Sequence, residues 1–445
     1  MPSTHQNLPN IVGIICHDLG RRLACYGDPD ARTPNIDRLA QGGVLFENAF
    51  CTAPQCSPAR AALWTGHYAH ATGVVGLTHG GFENDLDAAE VHLAARLKSA
   101  GYQTVGIGHL HEARTHDHLG FDHIESGGRA PAIADRFERW MAQQGADSPK
   151  PFFAEISFFE PHRPFPYEGF EPKSPDSVTP LPYLPDLPVI REDLADMEAS
   201  IATMDAAVGR VLTALEEAGV AENTLVFFTA DHGIPFVRAK MSLYDPGIAV
   251  PFVFRGPGLP AGETRGGMVS HVDLVPTLIE HLDLDPAAGL HGTSFAAQLA
   301  GNAAGRTAVF GEKTYHTYYD PMRCIRTEEW KLIVNFEFAP SVEISPDPGN
   351  NAKSYWETIT AMQGTYPLYH PPFELYHLAD DPLEKNNLVG EDGQVLDPAH
   401  AEIFQNLATL LWGWMKETGD PLVDGPVPQG SYVKRRQMTE ELARR

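Results

Sequence analysis

Reactive side chains crowd a few short stretches of this chain. The most informative runs Cys51-Thr52-Ala53-Pro54-Gln55-Cys56-Ser57-Pro58-Ala59-Arg60 and continues through Ala61-Ala62-Leu63-Trp64-Thr65-Gly66. Its residue types predict a loop that tightens into a helix, with Ser57 as N-cap and Pro58 at the first helical position, where a missing N–H costs nothing. Cys56 then lies just ahead of a helix N-terminus, where free N–H groups and the positive end of the macrodipole favour an anion. Arg60, in the first turn, adds a fixed positive charge with two parallel donors. Taken alone, Cys56 reads first as a small buried hydrophobe.

Four other stretches offer histidine or aspartate: His17-Asp18, His109 and His111, His162 within Glu160-Pro161-His162-Arg163-Pro164, and Asp231-His232. Each follows an apolar run that reads as a buried strand: 10–16, 102–108, 152–159 and 225–229. Ligands of open α/β sheets bind outside the carboxyl ends of the strands, so these side chains are expected along one edge, facing Cys56. Asp18 and Asp231 are placed to ligate a metal from two separate strands, or simply to cap loops.

Positioning these groups requires helices between the strands. The spacing predicts helices over 33–40, opened by Thr33 and Pro34, over 90–100, 133–143 and 191–219, and one capped by Asp273. Further short strands are expected at 44–46 and 251–254. This alternation predicts an α/β fold with a mostly parallel central sheet flanked by helices. Beyond 299–305 the texture changes to short strands at 307–311, 322–326, 330–334 and 373–378, with a hairpin at Thr327-Glu328-Glu329. A helix over 399–416 and a charged tail follow. A smaller C-terminal antiparallel sheet with a helix is therefore expected, dividing the chain into 1–304 and 305–445. Residues 70–85, 164–190 and 336–372 are expected to wall the pocket.

The chain has 445 residues, with 20% charged side chains and a net charge of −25. That balance argues against a nucleic-acid or anionic-membrane surface, so an anionic substrate needs a local positive pocket. The five cysteines are too few and too scattered for a disulfide framework or a repeated zinc pairing. Neither an apolar signal core nor a membrane-length run is present, which leads to the expectation of a soluble, cytoplasmic protein. The oligomeric state is not legible.

The run Cys56-x-Pro58-x-Arg60, followed by Ala-x-Leu63-x-Thr65-Gly66, resembles the signature of the type I sulfatases, of the alkaline-phosphatase-like superfamily. The resemblance implies that a formylglycine-generating enzyme oxidises Cys56 to formylglycine, whose hydrate is the nucleophile. It also implies a divalent cation held by Asp18, Asp231, His232 and the residue at 56: calcium in the first place, with manganese or zinc as alternatives. The family's Asp-Asp pair is here His17-Asp18, which puts a ligand role for His17 in question. His109-x-His111 resembles the family's Lys-x-His, the lysine being replaced. His162 resembles the histidine that protonates the leaving group, and Lys240 falls where a Lys or Arg meets the sulfate. Segment 270–277 and Asp381-Pro382-x-Glu384-x-Asn386-Asn387-Leu388 match further family patterns, so the resemblance spans nearly the whole chain. Gly76-Leu77-Thr78-His79 and 318–333 look like the sulfamidase, or heparan N-sulfatase, subgroup.

The expected activity is hydrolysis of a sulfate ester or sulfamate of a small, sugar-like substrate. One alternative is a phosphonate monoester or phosphodiester hydrolase on the same architecture. Another is a catalytically silent carbohydrate-binding relative, which the replacements at His17 and His109 bring into view.

Overall fold

The computed structural model describes all residues except 1–7, 80, 81, 83, 145–149, 166–168, 302, 303, 344–352, 365, 429 and 445. Ten strands before residue 266 are β1 (Asn10–Cys16), β2 (Val44–Phe46), β3 (Ala49–Phe50), β4 (Gln103–Gly108), β5 (His123–Ser126), β6 (Phe152–Ser157), β7 (Thr224–Ala230), β8 (Ala249–Val250), β9 (Phe252–Arg255) and β10 (Glu263–Arg265). Eight of them form the main sheet in the order β10-β2-β9-β7-β1-β6-β4-β5. Within it only β9 runs against its neighbours, β2 and β7. β1, β6 and β7 are buried along their whole length, which is why they read as continuous apolar runs rather than alternating ones. β3, β8 and β11 (Val269–Ser270) make a small three-stranded sheet.

The neighbours β7, β1, β6 and β4 are parallel, and they are the four strands whose carboxyl ends carry the flagged residues. Two glycines let chain and helix close in at this edge. A Cβ on Gly13 of β1 would stand 2.5 Å from Phe227 and 3.0 Å from Trp64, so its absence lets the Cys56–Thr65 helix lie close to the sheet. Gly108 has φ +107°, and a Cβ there would stand 2.0 Å from the Ser157 carbonyl oxygen. That left-handed turn, open to glycine, directs the chain from β4 into His109.

The last sheet, β12 (Ala308–Tyr315), β13 (Tyr319–Thr327), β14 (Trp330–Asn335) and β15 (Phe373–His377), is antiparallel throughout. β13 and β14 meet across Glu328-Glu329, as the hairpin signal predicts. The helix Ala401–Glu417 packs on this sheet through Leu407, Leu411, Trp414 and Met415. The sheet also reaches toward the cysteine loop: Glu312 N–H donates to the Thr52 carbonyl at 2.8 Å, and Gln55 Nε2 to that of Tyr315 at 2.6 Å. The Asp-Pro-x-Glu pattern works in the same junction. Buried Glu384 accepts from Asp245 N–H at 2.6 Å and pairs with Lys331 Nζ at 2.7 Å, while Lys331 also holds Asp245 at 2.5 Å.

Several expectations need correction. The helix of the signature begins at Cys56 itself with Gln55 at the N-cap, so Pro58 sits deeper in the first turn. Ser57 Oγ is taken instead by the N–H and hydroxyl of Thr78. Thr33 does stand at the N-cap before Pro34, but its side chain makes no cap bond; Asp205 accepts the N–H groups of Asn35 and Ile36. Asp273 makes no cap bond for Leu274–His281 and closes a capping box with Ser270 instead. Val91 is exposed, because that helix starts two residues later at Leu93. β5 was not expected: as an edge strand of exposed and half-buried residues it lacks an apolar run. The tail is exposed as expected but helical over Gly430–Ala443, and a helix over Lys353–Met362 lies inside the stretch read as pocket wall.

Candidate active site

Cys56, at the head of its helix, is buried and faces the strand ends. Its Sγ lies 3.4 Å from His232 Nε2. His232 Nδ1 is 2.9 Å from the Gly233 carbonyl, which places the ring proton there and leaves the Nε2 lone pair toward the thiol. Burial pushes the Cys56 thiol up to about 12 despite the opposing charge of Lys240, so the sulfur is a neutral S–H donor at neutral pH. The same Nε2 stands 3.2 Å from Asp18 Oδ1.

Asp18 and Asp231 are fully buried and joined by structure: Asp231 Oδ1 accepts from the Asp18 N–H at 3.0 Å. Asp18 adopts φ +49°, an uncommon conformation for a residue with a Cβ, which fits a carboxylate held by its surroundings. Lys240 grips both Asp18 oxygens, at 2.9 and 2.8 Å. Arg60 Nε holds Asp231 Oδ2 at 3.1 Å, and its Nη1 reaches Ser157 Oγ at 2.6 Å and the His109 carbonyl at 3.2 Å. Burial works against both carboxylates. The cations, with the neighbouring imidazoles, outweigh it and hold Asp18 and Asp231 below the ordinary range.

Two carboxylates thus meet two buried cations, Arg60 and Lys240. The donor set still suits a further divalent ion. His17, Asp18, Cys56 and Asp231 each bring a ligand atom within 4.8 Å of the others. His232 Nε2 also faces a carboxylate oxygen at 3.2 Å, an approach that a cation between them would favour.

The remaining flagged residues lie in the same place. His162 donates from Nδ1 to the Arg163 carbonyl at 2.6 Å and points Nε2 at Asp18 Oδ2, 3.8 Å away. Burial, with Lys240 adding to it, lowers its imidazole to about 4. The rings of His109 and His111 pack at 4.8 Å, and His17 is 4.7 Å from His109. Burial lowers all three, His109 to about 3. Every site residue expected from the sequence is therefore in one cluster.

Sequence reasoning missed several of its members. His79 Nδ1 meets His111 Nε2 at 2.5 Å; it was noted only as part of a subgroup pattern. Ser157, the last residue of β6, binds Arg60 and shows no sign in a single sequence beyond its strand-end position. Tyr355, buried on the helix Lys353–Met362, lies within electrostatic reach of Lys240 and Asp18. His79 and Tyr355 belong to two of the three expected wall segments; 80, 81, 83, 166–168, 344–352 and 365 of those segments lie outside the described residues.

A sulfatase family model matches residues 9–284, and a model described as N-sulphoglucosamine sulphohydrolase, C-terminal, matches 234–357. Human N-sulphoglucosamine sulphohydrolase is 30% identical over 469 residues, covering 94% of this chain and 92% of its own. Among solved structures, a protein in complex with its substrate D-glucosamine-2-N,6-O-disulfate matches with a TM-score of 0.72 at 19% identity, covering 93% of this chain and 99% of that one. The phosphonate monoester hydrolase of Agrobacterium radiobacter matches with a TM-score of 0.69 at 22% identity, covering 92% and 96%. At such identities these two likenesses speak for the fold.

Proposed function

The chain belongs to the sulfatase family, and on that premise we propose that it hydrolyses the sulfamate or a sulfate ester of a small amino sugar, with Cys56 as the residue converted to formylglycine. The observation that carries this reading is the position of Cys56. It heads its helix, buried, with ligand atoms of His17, Asp18 and Asp231 within 4.8 Å and His232 Nε2 at 3.4 Å. The human relative aligned over 94% of the chain supports the sulfamate of N-sulfated glucosamine as first candidate.

Formylglycine at 56 supplies a hydrated aldehyde, with one oxygen to attack sulfur and a second to expel sulfate. A divalent cation would be held by Asp18 and Asp231 with His232 beside them, and would supply Lewis acidity at the anionic group. The protein's own groups do the rest. Lys240 and Arg60 compensate the carboxylates in the substrate-free protein, and with Asp18 neutralised the Lys240 ammonium would be available to pair with the substrate anion. His162 Nδ1 is committed to a carbonyl, so Nε2 is the atom that can pass a proton to the leaving group. The pKa of about 4 leaves that atom bare in the free protein, and the approaching anion raises its proton affinity. His111, tied to His79, faces the same pocket beside His109.

The test compares turnover of glucosamine N-sulfate, O-sulfated glucosamines, an aryl sulfate and a phosphonate monoester, using protein coexpressed with a formylglycine-generating enzyme. Peptide mass spectrometry reads residue 56 in the same samples. The expected result is aldehyde at 56, preference for a sulfated amino sugar, and no turnover by Cys56→Ala with unchanged thermal stability. Turnover by protein whose Cys56 remains a thiol, or a preference for the phosphonate, would overturn the reading.

A further inference from the structure

Two of the replacements noted in the sequence, His17 and His109, lie 92 positions apart in the chain and come together with His111 in space. Each of the three brings a ring nitrogen within 4.8 Å of the other two. The ring centroids of His17 stand 4.7 and 5.7 Å from those of His109 and His111. His17 is 1% exposed and its Nε2 has no hydrogen-bond partner; His111 is 8% exposed and its Nδ1 has none either.

The other nitrogen of each of these two rings has a polar neighbour. His17 Nδ1 stands 2.9 Å from Asp231 Oδ2, and His111 Nε2 stands 2.5 Å from His79 Nδ1. With the proton on that nitrogen, the unpartnered one presents a lone pair. This is the arrangement in which a second group fixes the tautomer of a metal-ligating imidazole.

We propose that His17, His109 and His111 form a second cation site, selective for zinc or a similar first-row divalent ion, beside the position of Asp18, Asp231 and His232, with His17 serving this site and not that one. Three imidazoles are a donor set that zinc accepts and calcium does not. Neutral ligands leave the ion's two positive charges uncompensated and one coordination position open. The site therefore takes an anionic oxygen, and replaces by a bound cation the charge that a lysine at 109 would carry. Its place in catalysis rests on the sulfatase reading above; its existence as a metal site does not.

A similar cluster shows what disqualifies one. His92, Glu112 and Glu155 are buried with ligand atoms equally close. There, however, His92 Nδ1 accepts the Ala94 N–H at 3.1 Å, capping a helix. That puts the ring proton on Nε2, the atom facing the carboxylates at 3.7 and 3.9 Å, so no lone pair is turned toward them.

The experiment is metal loading of the EDTA-stripped, full-length protein with zinc chloride and with cobalt chloride. It is read by metal analysis after desalting and by visible absorption. The proteins are wild type, His111→Asn, His109→Lys, Asp18→Asn and Cys56→Ala, each checked by circular dichroism. The expected result is one fewer zinc equivalent per chain in His111→Asn and His109→Lys than in wild type. The d–d absorption of bound cobalt should lose one component in both, and that component should be kept in Asp18→Asn and Cys56→Ala. His109→Lys restores the charge without the ligand, so it keeps the pocket's electrostatics if His111→Asn disturbs folding. Equal zinc content and an unchanged cobalt spectrum in folded His109→Lys would overturn the proposal. Because Cys56→Ala is expected to load zinc without turnover, failure of the sulfatase reading would show in the substrate comparison and leave this measurement intact.

Discussion

At the scale of single residues the site is governed by which nitrogen of each histidine holds a proton. His162 and His232 both face a backbone carbonyl with Nδ1, and both turn Nε2 into the pocket. For His162 this makes the leaving group the natural probe. His162→Gln is expected to lower kcat by about 100-fold or more for an alkyl sulfate or sulfamate, whose leaving oxygen or nitrogen needs a proton. An activated aryl sulfate, which leaves without one, should lose less than about a tenth of that effect. Steady-state kinetics on the two substrate classes checks it. Equal losses on both would assign His162 to binding instead of proton transfer.

Elements rather than residues decide how the edge is closed. The loop after β7 carries Asp231, His232 and Lys240, and its far end at Asp245 is fastened by Lys331 of β14 and by Glu384. Lys331 and Glu384 are 0% exposed, and the Asp245 side chain is 23% exposed. Removing one partner strands the others. Lys331→Met leaves two carboxylates without their buried cation and is expected to cost about 3–5 kcal/mol, as for other broken buried pairs. Urea unfolding monitored by fluorescence measures this. A loss below about 1 kcal/mol would mean that Arg326, 3.2 Å from Asp245, carries the junction by itself.

Over the whole molecule, buried imidazoles set the response to acid. Burial lowers His92, His109 and His271 to about 3 and His162 to about 4, against about 6.5 in an unfolded chain. Below pH 6.5 the unfolded state binds protons that these rings refuse, so each costs about 1.4 kcal/mol of stability per pH unit until its own pKa is reached. Buried glutamates oppose this. Burial raises Glu384 to about 7, and it raises Glu112 and Glu155 as well, so the folded state takes up protons there that an unfolded chain takes up only near 4.5. Their contribution ends once both states are protonated. Metal-stripped protein is therefore expected to lose stability from pH 6.5 downward, most steeply below about 4.5. Urea midpoints at pH 7, 5.5, 4.5 and 4 follow it, and a midpoint that stays level or rises toward pH 4 would contradict the assignment.

The sequence by itself determined the parallel core and the members of the site. Buried parallel strands must be continuous apolar runs, and each of the four runs ends in residues whose chemistry is conspicuous: Asp18, His109, His162 and Asp231. Signals of this kind are local, so a single chain displays them. Local signals misplaced the N-cap at Ser57 and passed over β5, because a cap is decided by whichever neighbour takes the hydroxyl, here Thr78, and an edge strand needs no apolar face. Only the tertiary structure decided the pairings: Lys240 on Asp18, Arg60 on Asp231, His79 on His111, and His17 beside His109. Those contacts join positions from 32 to 222 residues apart. Proton positions and charge balance follow from distances of 3 to 4 Å, and such distances exist only once the strands have assembled into one edge.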